Sequence, residues 1–298
     1  MSHHHTHEHT HPVASLNKAF LIGIGLNLSF VLAEFAAGFF TNSMGLLSDA
    51  GHNLSDVAGL VLAMLAFRLA RVQSNHIYTY GYKKSTVLVS LLNAVILLVA
   101  VGMIIAESIE KLLHPQPVEG GVIIVVAGIG VCINAFTAWL FMKDKERDLN
   151  IKGAYLHMAA DALVSVGVAL SGLVIMYTGW LLIDPVIGLV IAGVIVYSTW
   201  NLLHDSIRLS LDGIPAGIDR DEIEAAIRSI AGVEGLHHLH IWALSTTETA
   251  LTVHVVVPDT TRMEEIKQRI KTLLQQKSVT HTTLEFETGG AACTDQCL

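Results

Sequence analysis

The chain has 298 residues, of which 52% are hydrophobic and only 15% are charged, and its formal net charge is -8. Soluble domains carry about a quarter charged residues, so this composition indicates a membrane protein. The negative net charge also argues against nucleic acid as a partner.

A histidine-rich tail, which we assign to residues 1–15, opens the chain. Thr and Glu interrupt its histidines: His3, His4, His5, His7, His9 and His11. Such tracts gather metal ions, so the tail either concentrates metal near a cytoplasmic entrance or is an inert or buffering extension. A remnant of a purification tag is a third reading.

Six apolar segments follow, and each is long enough to cross a bilayer as a helix of about 20 residues. The first is too long for a cleavable signal peptide. We therefore predict a six-helix transmembrane domain over residues 16–211, with spans near 16–40, 44–67, 84–111, 120–142, 153–178 and 184–204.

The short loops between these segments differ in charge. The loops after segments two and four hold eight Lys and Arg residues: Arg68, Arg71, Lys83, Lys84, Lys143, Lys145, Arg147 and Lys152. The opposite loops, near 41–43, 112–119 and 179–183, hold no Lys or Arg. The positive-inside rule therefore predicts a multi-pass protein of the plasma (inner) membrane with both termini in the cytoplasm.

Two of the apolar segments carry a histidine and an aspartate four residues apart, His52 with Asp56 and His157 with Asp161. Positions i and i+4 share a helix face, so each helix presents one imidazole and one carboxylate in the same direction. Two nitrogens and two oxygens suit tetrahedral zinc, and ionisable groups at membrane depth usually mark an ion path. The alternative is polar contact between helices without transport.

Three more polar residues lie in the predicted spans. Asp49, one turn before Asn53, is either a waystation for the metal, an acceptor that orients His52, or a residue near the helix start. Glu34 and Asn134 are predicted to make interior polar contacts.

From about Asp212 the apolar density falls, and residues 212–288 read as a small cytoplasmic α+β domain. Asp219 is predicted to N-cap its first helix, and Thr261 with Glu264 to form a capping box for the second. The order α-β-β-α-β, a metallochaperone-like arrangement, places strands near 236–244, 249–257 and 282–288.

A short tail, residues 289–298, ends the chain with Cys293 and Cys297. A cytosolic location favours reduced thiols, so this pair is a candidate for loose metal binding. Cys132, inside segment four, is predicted to pack as an ordinary apolar residue.

Four stretches of the sequence resemble the cation diffusion facilitator family, specifically its bacterial zinc-efflux branch. They are residues 48–56 (SDAGHNLSD), 153–161 (GAYLHMAAD), 78–82 (YTYGY) and 239–242 (LHIW). The resemblance implies that the two His/Asp pairs form an intramembrane transport site and that the protein exports divalent metal from the cytoplasm against proton influx. It also implies a homodimer held by the cytoplasmic domain.

The resemblance implies further residue roles. The cytoplasmic metal site would fall on His237, His254 and Glu285, with Glu287 as a further oxygen donor. The best-known family pattern has histidine where Glu285 stands, so a single weaker site is expected. His240 is expected to alternate away from His237 on an extended strand.

The resemblance also pairs Lys84 with Asp212 in an ion pair that locks the membrane halves of the dimer to the cytoplasmic domains. In the plainer alternative, Lys84 only contributes to the positive-inside orientation and Asp212 only forms a turn before Gly213. Asn75 and Tyr82 stand where some relatives carry metal ligands. The loop site of those relatives is therefore expected to be missing here, with His76 as a weak candidate.

Charge balance supports proton coupling. Two neutral imidazoles and two carboxylates neutralise a dication, whereas the empty site leaves two bare carboxylates in a low dielectric. Repulsion between Asp56 and Asp161 favours protonation on the return, so metal and protons compete for the same atoms. The N2O2 ligand set favours zinc and also admits cobalt or cadmium.

Two other functions compete with transport. An intramembrane metallohydrolase would keep an open coordination position beside a helical HExxH motif or an extra base, and the sequence has neither. A membrane-anchored metal sensor without transport activity would not need two ligand pairs at membrane depth. We therefore predict a secondary transporter rather than an enzyme, with zinc as transported substrate and as a ligand of the cytoplasmic domain, and with no organic cofactor.

Overall fold

A computed structural model describes residues 11–41, 44–114, 120–258 and 260–288. Six long helices come first, and each coincides with one of the predicted apolar segments. They are α1 (His11–Thr41), α2 (Met44–Leu69), α3 (Ser85–Leu113), α4 (Gly120–Met142), α5 (Leu149–Thr178) and α6 (Ile183–Ser210).

Helix α5 begins four residues earlier than the apolar pattern predicted, because Asp148 caps it. The Asp148 carboxylate accepts hydrogen bonds from the backbone N–H groups of Asn150 (2.7 Å) and Ile151 (3.2 Å). These N–H groups have no partner within the helix, so the cap stabilises the first turn. The early start brings Asn150 into the helix.

The chain divides into two compact units, and the first comprises the described residues of Met1–Leu69 and Val89–Leu203. Its largest apolar cluster joins α1, α2, α4 and α5 through Phe20, Leu60, Phe141 and Met158, and the rings of Phe20 and Phe141 are 4.8 Å apart. A second cluster packs Ala160 of α5 against α3 and α6. Helix α5 therefore contacts both groups of helices.

The outer surface of this unit is apolar. Large side chains such as Leu32, Val99 and Val190 are 62%, 58% and 63% exposed. Among the described residues, three stretches are long and apolar enough to cross a membrane: Lys18–Ala36, Ser85–Leu113 and Pro185–Ser210. Exposed aliphatic side chains on such helices suit contact with lipid.

The second unit comprises Ala70–Leu88 and the described residues of His204–Leu298. After the end of α6 it contains α7 (Arg220–Arg228), β1 (Gly235–Ala243), β2 (Thr249–Val257), α8 (Met263–Gln276) and β3 (His281–Thr288). The sheet order is β1-β2-β3, with β1 antiparallel and β3 parallel to β2. This is the predicted α-β-β-α-β order.

One face of the sheet forms the core of the second unit. Leu251, Val253, Val255 and Val257 alternate along β2 and pack with isoleucines of α7 and α8. The other strand positions, which carry the histidines and glutamates, lie on the opposite face. Alternation along the strands thus separates the core from the candidate ligands.

The predicted N-cap of α7 forms, whereas the predicted capping box of α8 does not. Asp219 accepts hydrogen bonds from Asp221 N and Glu222 N. Helix α8 begins after Arg262 without a side-chain cap, because the Glu264 carboxylate bonds forward to Lys267 and Gln268 instead of back to the start of the helix.

Candidate metal-binding sites

The structure brings Asp56 of α2 together with His157 and Asp161 of α5. His157 Nε2 lies 2.6 Å from Asp56 Oδ1 and 3.7 Å from Asp161 Oδ2. One ligand atom from each of the three residues lies within 4.8 Å of the others. All three side chains are at most 13% exposed, so one imidazole nitrogen and two carboxylates converge in the interior of the first, helical unit.

The fourth expected ligand, His52, belongs to α2, one turn before Asp56. Its side chain lies outside the described part of the structure, as does the side chain of Asp49. Helical spacing places position 52 on the face that carries Asp56. The two carboxylates and one imidazole already match zinc chemistry, and a second imidazole would complete a neutral set around a dication.

A buried acid lies beside this part of α2. Glu34 of α1 is 4% exposed, and its Oε2 accepts a hydrogen bond of 2.7 Å from Asn53 Nδ2. Asn53 follows His52, so the contact ties α1 to the segment of α2 that carries the predicted ligands. The sequence predicts an interior polar contact for Glu34 but does not identify Asn53 as its partner. Asn134 of α4 is also buried, at 3% exposure.

A second cluster lies on the face of the sheet opposite the core. His254 Nδ1 is 2.7 Å from Glu287 Oε1, and His237 Nε2 is 3.4 Å from the same oxygen. The His237 and His254 rings are 5.1 Å apart. These three residues offer two nitrogens and one oxygen within 4.8 Å of one another.

Glu285 and Glu287 hold different positions in this cluster. Glu285 Oε2 lies 3.4 Å from His254 Nε2, and its side chain is 67% exposed, whereas the Glu287 side chain is 15% exposed and reaches both histidines. The hydrogen bond from His254 lowers the pKa of Glu287, and the nearby His237 adds to this effect. The family resemblance implies the primary role for Glu285, but the geometry favours Glu287.

The expected orientation of His240 is wrong because β1 contains a bulge, although His240 is not among the three residues whose ligand atoms converge. His237 pairs with His254 and His240 pairs with Thr252, so both histidines face the same side of the sheet. The extra residues between them include His238, whose φ is 50°. A bulge shifts the alternation by one residue, and the strand pattern alone does not reveal it. His237, His240 and His254 therefore share one face.

Lys84 and Asp212 form an ion pair in the second unit. Lys84 Nζ donates to Asp212 Oδ1 at 2.6 Å and to the carbonyl oxygens of Leu209 (2.8 Å) and Ala243 (3.0 Å). The carbonyl contacts were not expected from the sequence. Lys84 therefore joins the end of α6 to the end of β1.

In the loop between α2 and α3, Asn75 and Tyr82 make contacts within the loop. The Asn75 side-chain oxygen accepts hydrogen bonds from the backbone N–H groups of Ile77 and Tyr78, and the Tyr82 ring packs on Tyr78 at 4.8 Å. His76 is exposed. The histidine-rich tail up to residue 10 and the pair Cys293 and Cys297 lie outside the described residues.

Comparisons with known proteins agree with this architecture. The cation efflux transmembrane domain matches residues 20–209, and the cation efflux protein cytoplasmic domain matches residues 215–288. The fold and these matches define a multi-pass membrane transporter of metal cations. The chain belongs to the cation efflux, or cation diffusion facilitator, family and to its zinc-efflux branch.

Relatives match the chain over nearly its whole length. The "Cadmium, cobalt and zinc/H(+)-K(+) antiporter" of Bacillus subtilis (strain 168) is 36% identical, over 94% of this chain and 92% of the relative. The "Metal cation efflux system protein CzcD" of Cupriavidus metallidurans is 35% identical, over 94% and 89%. The "Zinc transporter ZitB" of Escherichia coli (strain K12) is 33% identical, over 96% and 93%. These names describe transporters and an antiporter rather than enzymes.

Proposed function

We propose that the protein is a proton-coupled antiporter that exports zinc, and also cadmium, from the cytoplasm by alternating access. The observation that carries this proposal is the convergence of Asp56, His157 and Asp161 inside the helical unit. Of the relatives, one is named for cadmium, cobalt and zinc with protons and potassium as the counter-ions, and another for zinc alone, which supports the choice of metal and of protons as a coupling ion.

The transport site in this proposal consists of His52, Asp56, His157 and Asp161. With neutral imidazoles and ionised carboxylates, the ligands balance the charge of one dication, so the loaded site avoids an uncompensated charge in a low dielectric. When the metal leaves, two carboxylates and an imidazole remain within a few ångströms. Two uncompensated negative charges are costly in a low dielectric, so protons from outside would displace the metal and return inward.

We further propose that residues 1–15 and 289–298 are cytoplasmic tails, that residues 16–211 span the plasma (inner) membrane, and that residues 212–288 form a cytoplasmic domain. The charge of the loops after α2 and α4 supports this orientation. The matched family domains, residues 20–209 and 215–288, support the boundaries. We expect a homodimer, with the Lys84–Asp212 contact fixing the start of the cytoplasmic domain.

The histidine and glutamate cluster on the sheet favours a second role in metal sensing. His237, His254 and Glu287 would hold one zinc ion, with Glu285 at its edge, on the sheet face opposite the core. A protein that only senses metal would bind zinc there without moving it across the membrane. Transport and sensing are therefore separable by experiment.

The test is zinc uptake into proteoliposomes with an imposed proton gradient. We expect gradient-dependent uptake by the intact protein and at least about a hundredfold loss in Asp161→Ala, because the remaining ligands leave the dication charge unbalanced. Glu107→Gln is the matched control, since Glu107 is a 64% exposed carboxylate of α3 paired with Lys111. Zinc binding without uptake by the intact protein would refute transport and favour the sensor.

A further inference from the structure

Helix α5 carries a buried amide that the transport site does not use. Asn150 is 0% exposed, and neither its Oδ1 nor its Nδ2 has a hydrogen-bond partner among the residues that the structure describes. Buried polar atoms without partners are rare in folded proteins, and each one calls for an explanation. Its backbone N–H, in contrast, is fully used by the Asp148 cap.

The position of Asn150 relates it to the transport site. It precedes His157 by seven residues, which is about two helical turns, or roughly 10 Å along the axis. Asn150 therefore shares a face of α5 with His157 and Asp161. Its neighbours confirm an inward direction, because Leu149 packs with α3 and α6 while Ile151 packs with α1, α2 and α4.

A second buried amide, Asn93 of α3, lies between this residue and the ligands. It is 7% exposed and faces two glycines. A Cβ atom added to Gly59 of α2 would lie 3.9 Å from Asn93 Oδ1, and one added to Gly153 of α5 would lie 3.8 Å from Asn93 Nδ2. Gly59 follows Asp56 by three residues and Gly153 precedes His157 by four, so Asn93 lies about one turn from the ligands.

Both amides lie on the same side of the ligand cluster. Helix α5 runs from the α4–α5 loop through Asn150 and Gly153 to His157, and α2 runs from Asp56 through Gly59 towards the α2–α3 loop. These two loops carry the basic residues that we assign to the cytoplasmic surface. A metal ion that loads from the cytoplasm would therefore pass Asn150 and Asn93 before it reaches Asp56 and His157.

We propose that Asn150 and Asn93 form an uncharged path on which the metal ion exchanges its hydration water for amide oxygens while it loads. This proposal rests on the proposed transport function. An amide oxygen is a neutral ligand, so it lowers the cost of partial dehydration without holding the ion as tightly as a carboxylate does. An amide also does not titrate, so protons do not compete with the metal at this step.

The test compares the full-length protein with Asn150→Leu and Asn93→Leu, which keep similar side-chain volume but lack the oxygen. Stopped-flow zinc binding is expected to show association slowed about tenfold, and transport at sub-saturating zinc is expected to fall by the same factor. The equilibrium zinc affinity should change less than about twofold, since a path residue slows binding and release equally. Asn201→Leu, on an exposed position of α6, is the control.

Two further variants keep the test decisive if a leucine does not fit. Asn93→Ala removes the amide without overpacking against the glycines, and it should also slow association. Asn150→Asp places a carboxylate on the path, and it should bind zinc more tightly there and lower transport at saturating zinc. Both effects would follow from a place on the metal path and not from a purely structural role.

The outcomes separate this inference from the proposed function. If the intact protein transports zinc and the Asn150 and Asn93 variants load at the normal rate, the path is refuted while transport stands. If the variants lose equilibrium affinity as much as association rate, these residues position the ligands and the path is again refuted. If the intact protein moves no zinc, the proposed function itself fails.

Discussion

Lys84 is expected to stabilise the second unit mainly through two backbone carbonyls and only secondarily through its ion pair. Its ammonium group has three hydrogens to donate, and three acceptors surround it: Asp212 Oδ1 and the carbonyl oxygens of Leu209 and Ala243. Leu209 is 5% exposed and Ala243 is 1% exposed. The Asp212 side chain, in contrast, is 66% exposed.

These exposures set the expected magnitudes for two substitutions. Lys84→Met leaves two carbonyls in buried surroundings without this donor, at roughly 1 to 3 kcal/mol each. Because the Lys84 side chain is 38% exposed and water can replace part of the contact, we expect the lower end of the summed range, about 2 to 3 kcal/mol in total. Asp212→Asn removes only an exposed ion pair, which contributes about 0 to 1 kcal/mol.

Thermal unfolding of the detergent-solubilised protein measures the difference. At about 3 °C for each kcal/mol, Lys84→Met should lower the Tm by about 6 to 9 °C and Asp212→Asn by no more than about 3 °C. Asn is a suitable replacement because residue 212 has a φ of 56°, a conformation that Asn adopts readily. Equal losses in the two variants, or no loss in Lys84→Met, would refute the assignment of stability to the carbonyl contacts.

Three further predictions follow from the second unit. In full-length protein whose transport site is disabled, Glu287→Gln should weaken zinc binding to the sheet cluster by about 10- to 100-fold, whereas Glu285→Gln should weaken it less than about fivefold. Isothermal titration that ranks the two variants in the opposite order would overturn this assignment. Gly81→Ala should lower the Tm more than Gly217→Ala. Both glycines have positive φ (70° and 84°), but of the two only Gly81 would place a Cβ against a backbone oxygen, at 2.8 Å. Equal losses of Tm in the two variants would exclude the clash. The pKa of Glu287 is lowered in the fold, so the ionised carboxylate stabilises the metal-free domain at pH values above its ordinary pKa of 4.5. This contribution is lost as the pH falls through the lowered pKa. Denaturant unfolding measured at a series of pH values should show the loss in the intact protein but not in Glu287→Gln.

The sequence predicted the long helices well because their signal is simple. An apolar run of about 20 residues has few alternatives, and the spacing of Asp56, His157 and Asp161 on two such runs anticipated which side chains converge. The apolar pattern predicts a start of α5 that is four residues too late, because apolar density marks where a helix becomes apolar and not where it is capped. Asp148 was the available signal, since it is a preferred N-cap residue ahead of the apolar run.

The sheet face was harder to predict because it depends on local irregularity. Alternation predicts that residues 237 and 240 face opposite sides, but the bulge at His238 reverses that result. His is among the residues that adopt positive φ, and the strand pattern does not show where it does so. The balance between Glu285 and Glu287 depends on side-chain reach and not on strand position. Whether the buried side chain of Asn150 finds a hydrogen-bond partner likewise depends on how the helices pack.

The most direct test of the central claim is zinc-driven proton flux in proteoliposomes, measured with a pH-sensitive dye inside the vesicles. The intact protein should move protons opposite to an imposed zinc gradient, and the flux should disappear in Asp161→Ala while Glu107→Gln retains it. Cadmium should also drive proton flux, whereas manganese, which prefers sites richer in oxygen, should drive much less. Zinc-dependent proton flux that persists unchanged in Asp161→Ala would contradict the assignment of the Asp56, His157 and Asp161 cluster as the transport site.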